Sequence, residues 1–144
     1  MIDRLDNPKD FPGYLIWQAG KDWHRQLDSL LSSFDLTYIQ FLVLINLDYL
    51  LKQKKYVSQK DIVEIMDEDK NIISQVIRRL ELKKFVRRKT DKNDTRSKLV
   101  FLTELGDNKI QMTNNLMDLK DRVYLEVKLR DIDSFMDNLK LFIS

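Results

Sequence analysis

In 144 residues the sequence has no cysteine, one histidine, two prolines and three glycines, and each scarcity removes a class of chemistry. Without a thiol there is no disulfide, no cysteine-held zinc and no thiol redox switch within this chain. The one imidazole, His24, reads as an ordinary, partly buried side chain, so no metal site is expected. With glycine only at positions 13, 20 and 106, no Gly-rich phosphate loop can be written in its usual form. Carboxylates are numerous but scattered over helix surfaces, and no Ser/His/Asp grouping is readable. Neither an enzyme nor a cofactor is therefore expected. Long apolar runs are missing too. The longest, "YIQFLVLINLDYLL", is broken by Gln40, Asn46 and Asp48 and falls short of the roughly 20 residues that span a bilayer. The opening Met-Ile-Asp-Arg carries no apolar core of a signal peptide. The expectation is a cytoplasmic protein with no membrane partner.

What the chain does have is balance and asymmetry. At 43% hydrophobic and 33% charged it can bury a core, and its length suits one domain. The net charge of +2 hides a division. Residues 52–98 carry 15 Lys/Arg against 8 Asp/Glu, and the remainder 10 against 15. A basic middle between acidic ends suits a surface that meets a polyanion, although charge runs are also ordinary solvated faces.

Periodicity organises the rest. Pro12-Gly13 opens a helix running to about Phe34, with Ile16, Trp23, Leu27, Leu30 and Phe34 on one apolar face. Thr37 caps a second helix that is apolar nearly all round, as a central helix should be. "VSQKDIVEIM" is the best-marked start: Ser58 and Asp61 form a capping box, and Val57 and Ile62 sit at the staple positions. Ile62, Ile65 and Met66 then point inward. Asp69 caps the next helix, on which Ile73, Val76, Ile77 and Leu80 form one buried stripe. Asn71, Gln75 and Arg78 lie opposite it, with Ser74 at the edge. A short helix, a tight break and a second helix with a hydrogen-bonding outer face is helix-turn-helix geometry.

"FVRRKT" and "SKLVFLT" flank "DKNDTR", which reads as a β-hairpin with a charged tip. Thr103 caps a helix over about 104–127, and residues 130–144 form a final amphipathic helix. The fold class is mostly α with a small β-hairpin wing: a winged helix-turn-helix in a helical frame.

Residues 57–106 resemble the winged-helix core of the MarR family of bacterial transcription regulators. The wing carries the most specific match. Where the family has Asp-x-Arg-Asp-x-Arg and then Leu-Thr-x-x-Gly, this chain has Asp91, Asn93, Asp94 and Arg96, then Leu102, Thr103 and Gly106. "FDLTYIQFLVL" is similar to the family's second-helix start. Asn93 replaces a wing arginine, Phe34 stands where Gly is frequent, and Phe85 replaces the Gly that usually joins recognition helix to wing. The resemblance implies a homodimer: residues 1–34 and 107–144 supply dimerisation helices, and 35–106 form the DNA-binding lobe. The last helix supports this independently. Ile132, Phe135, Met136, Leu139, Phe142 and Ile143 are more apolar surface than so small a lobe can cover.

The resemblance also gives the charged tip a purpose, as a wing for double-stranded DNA. Lys89, Lys92 and Lys98 approach phosphates. Arg96 enters the minor groove, with Asp94 holding its guanidinium; the plain alternative is a surface ion pair. On the recognition helix, which begins at Lys70, Asn71 and Gln75 suit adenine edges and Arg78 suits guanine or phosphate. Ile72 either contacts a thymine methyl or packs in the core. Ser58, Gln59 and Lys60 meet phosphate at a helix start. The family couples DNA release to a small lipophilic or phenolic ligand, for which Tyr14, Trp17, His24, Tyr38 and Phe41 are the candidate pocket. The expected function is a homodimeric DNA-binding repressor acting on a pseudo-palindromic operator. The competing reading is a winged-helix protein-interaction module that binds no DNA.

Overall fold

A computed structural model describes residues 7–144. Helix α1 (Pro12–Leu31) has proline at its first position, where the missing N–H costs nothing. A 3-10 turn, Ser32–Phe34, follows. Helix α2 (Tyr38–Gln53) starts on a complete capping box: the Thr37 hydroxyl accepts from the Gln40 N–H, and the Gln40 Oε1 accepts from the Thr37 N–H, both at 3.2 Å. A two-residue strand β1 (Val57–Ser58) leads into α3 (Gln59–Met66) and α4 (Lys70–Leu82). The hairpin β2 (Val86–Thr90) and β3 (Lys98–Leu102) comes next. Helix α5 (Glu104–Leu119) then runs through a π-turn, Lys120–Tyr124, into α6 (Leu125–Lys128), and α7 (Ile132–Ile143) ends the chain.

The core lies between α2, the helix-turn-helix and the inner face of the sheet. Ile73, Ile77 and Leu80 of α4 are completely buried, and each such side chain contributes about 1.5–3 kcal/mol. That stripe fixes the rotation of α4 about its own axis and turns Asn71, Gln75 and Arg78 to solvent. The Ser58–Asp61 capping box closes as expected, and Val57 and Ile62 beside it are fully buried. Asp69 caps α4 through the N–H groups of Asn71 and Ile72.

Three features differ from the sequence reading. A third strand exists. β1 pairs antiparallel with β3, Val57 opposite Val100 and Ser58 opposite Leu99, giving the order β1-β3-β2. Two residues carry no periodicity, so nothing local announces that strand. On α1 the buried positions are Leu27 and Leu31, and Ile16 is exposed, because only the C-terminal half of α1 reaches the core. Ile65, expected inward, is also exposed; an eight-residue helix buries one stripe, and Ile62 occupies it.

Glycine's scarcity shows at the helix ends. Asp35, Asp67 and Lys84 adopt φ of 57°, 49° and 65°, the left-handed conformation that glycine usually supplies. Each closes a Schellman pattern; at α4 the Phe85 N–H donates to the Leu80 carbonyl and the Lys84 N–H to that of Glu81. The joint between recognition helix and wing is therefore bent at Lys84, one residue before Phe85.

Candidate nucleic-acid interface

Three elements present exposed polar or basic side chains: the start of α3, the outer face of α4 and the tip of the hairpin. At α3 the Ser58 groups are already used. Its hydroxyl accepts from the Asp61 N–H (3.1 Å) and its own N–H donates to Asp61 Oδ2 (2.9 Å). Of the first N–H groups of α3, those of Gln59 and Lys60 are thus left outside the capping box, and the exposed Lys60 ammonium stands 4.0 Å from Glu64 Oε1. Burial favours the neutral form of Asp61. The Lys54 ammonium at 2.7 Å and the Ser58 donors outweigh it and hold the carboxyl below the usual range.

On α4, Lys70, Asn71, Gln75 and Arg78 are exposed and Ser74 is half-buried. Ile72 is 42% exposed, so it belongs to the outer face and not to the core. The Arg78 Nε–H folds back onto the Ser74 carbonyl (3.3 Å). Lys83 fastens the far end of α4: its ammonium donates to the Asp35 carbonyl (2.7 Å) and to Gln40 Oε1 (2.9 Å). The same Gln40 oxygen completes the α2 cap, so the carbonyl of a glutamine only 7% exposed accepts two hydrogen bonds.

The wing tip is two successive Asx turns. The Asn93 N–H donates to Asp91 Oδ1 (2.9 Å) and the Arg96 N–H to Asp94 Oδ1 (3.1 Å). The same Asp94 oxygen receives the Arg96 Nε–H at 3.4 Å, with the Arg96 side chain 92% exposed. Asp94 therefore holds both ends of the arginine, while the guanidinium projects from the molecule. Lys98 is tied across the hairpin to the Thr90 hydroxyl (2.9 Å); Lys92 is exposed at the tip.

Known proteins are similar to this chain in sequence and in fold. The family "Transcriptional regulator SarA/Rot" matches residues 26–113, from the C-terminal half of α1 to the middle of α5. The chain belongs to the SarA/Rot family of transcriptional regulators. It is 29% identical over 137 residues to the uncharacterized HTH-type transcriptional regulator YdcH of Bacillus subtilis, covering 95% of this chain and 92% of that one. It is 24% identical over 133 residues to the transcriptional regulator SarZ of Staphylococcus haemolyticus (91% and 86% covered). Among solved structures it is similar to S. aureus MepR in a DNA complex (TM-score 0.81, 25% identity, 92% and 96% covered). A mutant MarR from E. coli, complexed with operator DNA, shares the fold (TM-score 0.80, 24% identity, 92% and 93% covered). The MarR-like winged helix expected from the wing and the second-helix start is thus the fold of this SarA/Rot regulator.

The expected ligand residues do not assemble into one pocket. Tyr14 and Trp17 stack on each other at 6.0 Å near the start of α1. His24 meets Tyr38 edge-on at 5.8 Å and pairs with Asp28 one turn on (3.2 Å). Phe41 is 4% exposed and belongs to the core. Tyr14 and His24 are ten residues apart on one helix, about 15 Å, so a stripe in sequence is a long surface in space. Of the five, Tyr38 lines a cleft of about 360 Å³ with Trp23, Phe135 and Met136. Four carboxylates (Asp118, Asp121, Glu126, Asp133) and Arg122 also face that cleft. Burial and the neighbouring Asp118 push the Asp121 carboxyl up, and burial chiefly raises the Tyr38 phenol. No signal on α1 or α2 pointed to α7 as a wall of the cleft.

Proposed function

We propose that this SarA/Rot regulator is a homodimeric repressor that binds a pseudo-palindromic operator in double-stranded DNA. The observation that carries the reading is the exposed row Asn71, Gln75 and Arg78 on a helix whose opposite face is locked in the core, beside a wing whose arginine projects freely. Asn71 and Gln75 read adenine edges, Arg78 reads guanine or phosphate, and Ile72 meets a thymine methyl. Ser74, at the edge of that face, and Lys70 contact the backbone. So do Gln59 and Lys60, as well as Lys92 and Lys98. Ser58 contributes by capping α3. Arg96, oriented by Asp94, enters the minor groove. MepR and MarR in their DNA complexes support the reading by likeness of fold.

Dimerisation is assigned to the helices outside 35–106. None of α7 is buried, and Phe135, Met136, Leu139, Phe142 and Ile143 stay exposed in the single chain. A partner subunit covers such a surface. Such a regulator works in the cytoplasm, on the nucleoid. A releasing ligand is assigned to the cleft beside Tyr38 and Trp23. Its aromatic walls suit a lipophilic ring, and its carboxylates require a phenol to enter neutral, not as phenolate.

Selection of duplexes from a random pool, followed by sedimentation of the complex with the enriched sequence, tests the reading. It expects inverted half-sites about 10 base pairs apart bound by a dimer. Failure to enrich any duplex, or a monomer at micromolar concentration, would contradict it.

A further inference from the structure

One largely buried charge joins all three elements of the DNA-binding surface without projecting toward solvent. Alternation along β2 puts Arg87 and Lys89 on the outer face of the sheet and Val86 and Arg88 on the face toward the helices. Arg88 meets Glu81, in the last turn of the recognition helix. Its Nη2–H donates to Glu81 Oε1 at 2.9 Å, its Nε–H to the same oxygen at 3.3 Å, and its backbone N–H to Oε2 at 3.2 Å. The remaining arm of the fork, Nη1–H, donates to Gln59 Oε1 at 3.2 Å. The Arg88 side chain is 22% exposed. For comparison, Arg96 stands in solvent.

The geometry has two consequences. A planar guanidinium holds its partners at fixed angles, so Glu81, Gln59 and β2 are held in one frame. Loss of the fork removes the side-chain brace that fixes the angle of β2 to α4 and to the start of α3. The second consequence concerns Gln59. A guanidinium only donates, so the amide must turn its oxygen toward Arg88. Its Nε2–H2 group is then left with no hydrogen-bond partner among the described residues, at the start of a helix where an anion is welcome.

We propose that Arg88 is a positioning residue for DNA binding: it locks recognition helix, wing and the start of α3 into one surface, and it turns the Gln59 amide so that its NH2 donates to a backbone phosphate. The inference rests on the DNA-binding reading given above. It also explains the charge balance, since Glu81 is an acid on the recognition helix of a protein that meets a polyanion. Arg88 holds its carboxyl below the usual range, and neutralises it.

The test separates positioning from contact by salt dependence. A cation that touches phosphate contributes about one unit to the log–log salt slope; one that acts through other groups contributes none. Parent, Arg88→Ala, Glu81→Gln, their double variant, Gln59→Ala and Gln59→Ala combined with Arg88→Ala are titrated by fluorescence anisotropy onto the duplex most enriched by the parent, at several salt concentrations. Denaturant melts confirm that each is folded; Glu81→Gln, which keeps the shape of the side chain, serves if Arg88→Ala does not fold. Arg88→Ala should weaken binding about tenfold with an unchanged slope. Glu81→Gln should weaken it too, although it removes a negative charge. The double variant should be no worse than Arg88→Ala alone, and Gln59→Ala should cost little once Arg88 is gone. A slope reduced by one in Arg88→Ala, with tighter binding by Glu81→Gln, would make Arg88 a phosphate contact and overturn the proposal. Parent-like affinity in both single variants would overturn it as well. A parent that enriches no duplex defeats the DNA reading and this inference together; a parent that binds, with unaffected variants, defeats this inference alone.

Discussion

The carbonyl of Phe85 occupies the space that a side chain on Gly106 would need. A Cβ built on Gly106 overlaps the Phe85 oxygen and comes within 2.9 Å of its carbonyl carbon. Neither can move cheaply. The Phe85 oxygen accepts from the Thr103 N–H (3.2 Å), and the Thr103 hydroxyl donates to the Lys84 carbonyl (2.6 Å) while accepting from the Gly106 N–H (3.0 Å). The joint between recognition helix and wing is thereby stitched to the start of α5. In the sequence Gly106 stands only as the last residue of the Leu-Thr-x-x-Gly match; in the fold the Phe85 carbonyl is the reason a glycine is needed there.

Gly106→Ala should therefore destabilise the protein by about 1–3 kcal/mol, as overpacking against a fixed backbone does. Urea unfolding measures it. Parent-like stability would show that the Phe85 segment gives way easily.

Lys84→Gly should act in the opposite direction. Lys84 holds a left-handed conformation at a helix end, which costs a residue with a Cβ about 1–2 kcal/mol. Glycine relieves that strain but gains freedom in the unfolded chain. A net stabilisation of about 0.5–1 kcal/mol is expected, seen as a raised urea midpoint at unchanged m-value.

Arg96→Ala should lower operator affinity by about 1–3 kcal/mol and reduce the salt slope by about one unit. Asp94→Ala should also weaken binding, because the same carboxylate oxygen holds the Arg96 N–H and its Nε–H. Simple electrostatics has the opposite sign, since Asp94 is an acid near a polyanion. Anisotropy titration of both single variants and the double decides: tighter binding by Asp94→Ala would remove the orienting role.

The Arg88–Glu81 pair sets an acid dependence. Glu81 has a lowered carboxyl pKa in the fold, caused first by its hydrogen bond from Arg88. A depressed acid stabilises the folded state above its unfolded pKa, about 4.3 for glutamate, and that contribution is lost as pH falls through the lower folded value. Urea midpoints measured from about pH 6 down to about pH 3 should fall for the parent and fall less for Glu81→Gln. Equal slopes would mean that Glu81 titrates alike in both states.

Much of this was legible beforehand for a physical reason. The caps at Thr37, Ser58, Asp69 and Thr103 form between groups two or three residues apart, and the α4 stripe repeats at helical spacing. Such contacts lie within one turn, so residue order specifies them. The Asp94–Arg96 pair is equally local, two residues along one turn. The alternating, turn-bounded segments likewise announced the hairpin, and the wing motif announced the family.

Residue order alone was therefore enough for the succession of helices, the inward and outward faces of the recognition helix, and the charged wing. What those pieces hold on to emerged with the packed fold. Arg88 finds Gln59 across 29 residues and Lys83 finds Asp35 across 48. β1 becomes a strand solely because β3 lies beside it. Phe41 went to the core while Tyr38 went to the cleft, three residues away on the same helix. A hydrogen bond or close packing across such separations depends on how far each helix has turned when it meets its neighbour. No local pattern encodes that rotation; it is set by the packing of the whole core at once.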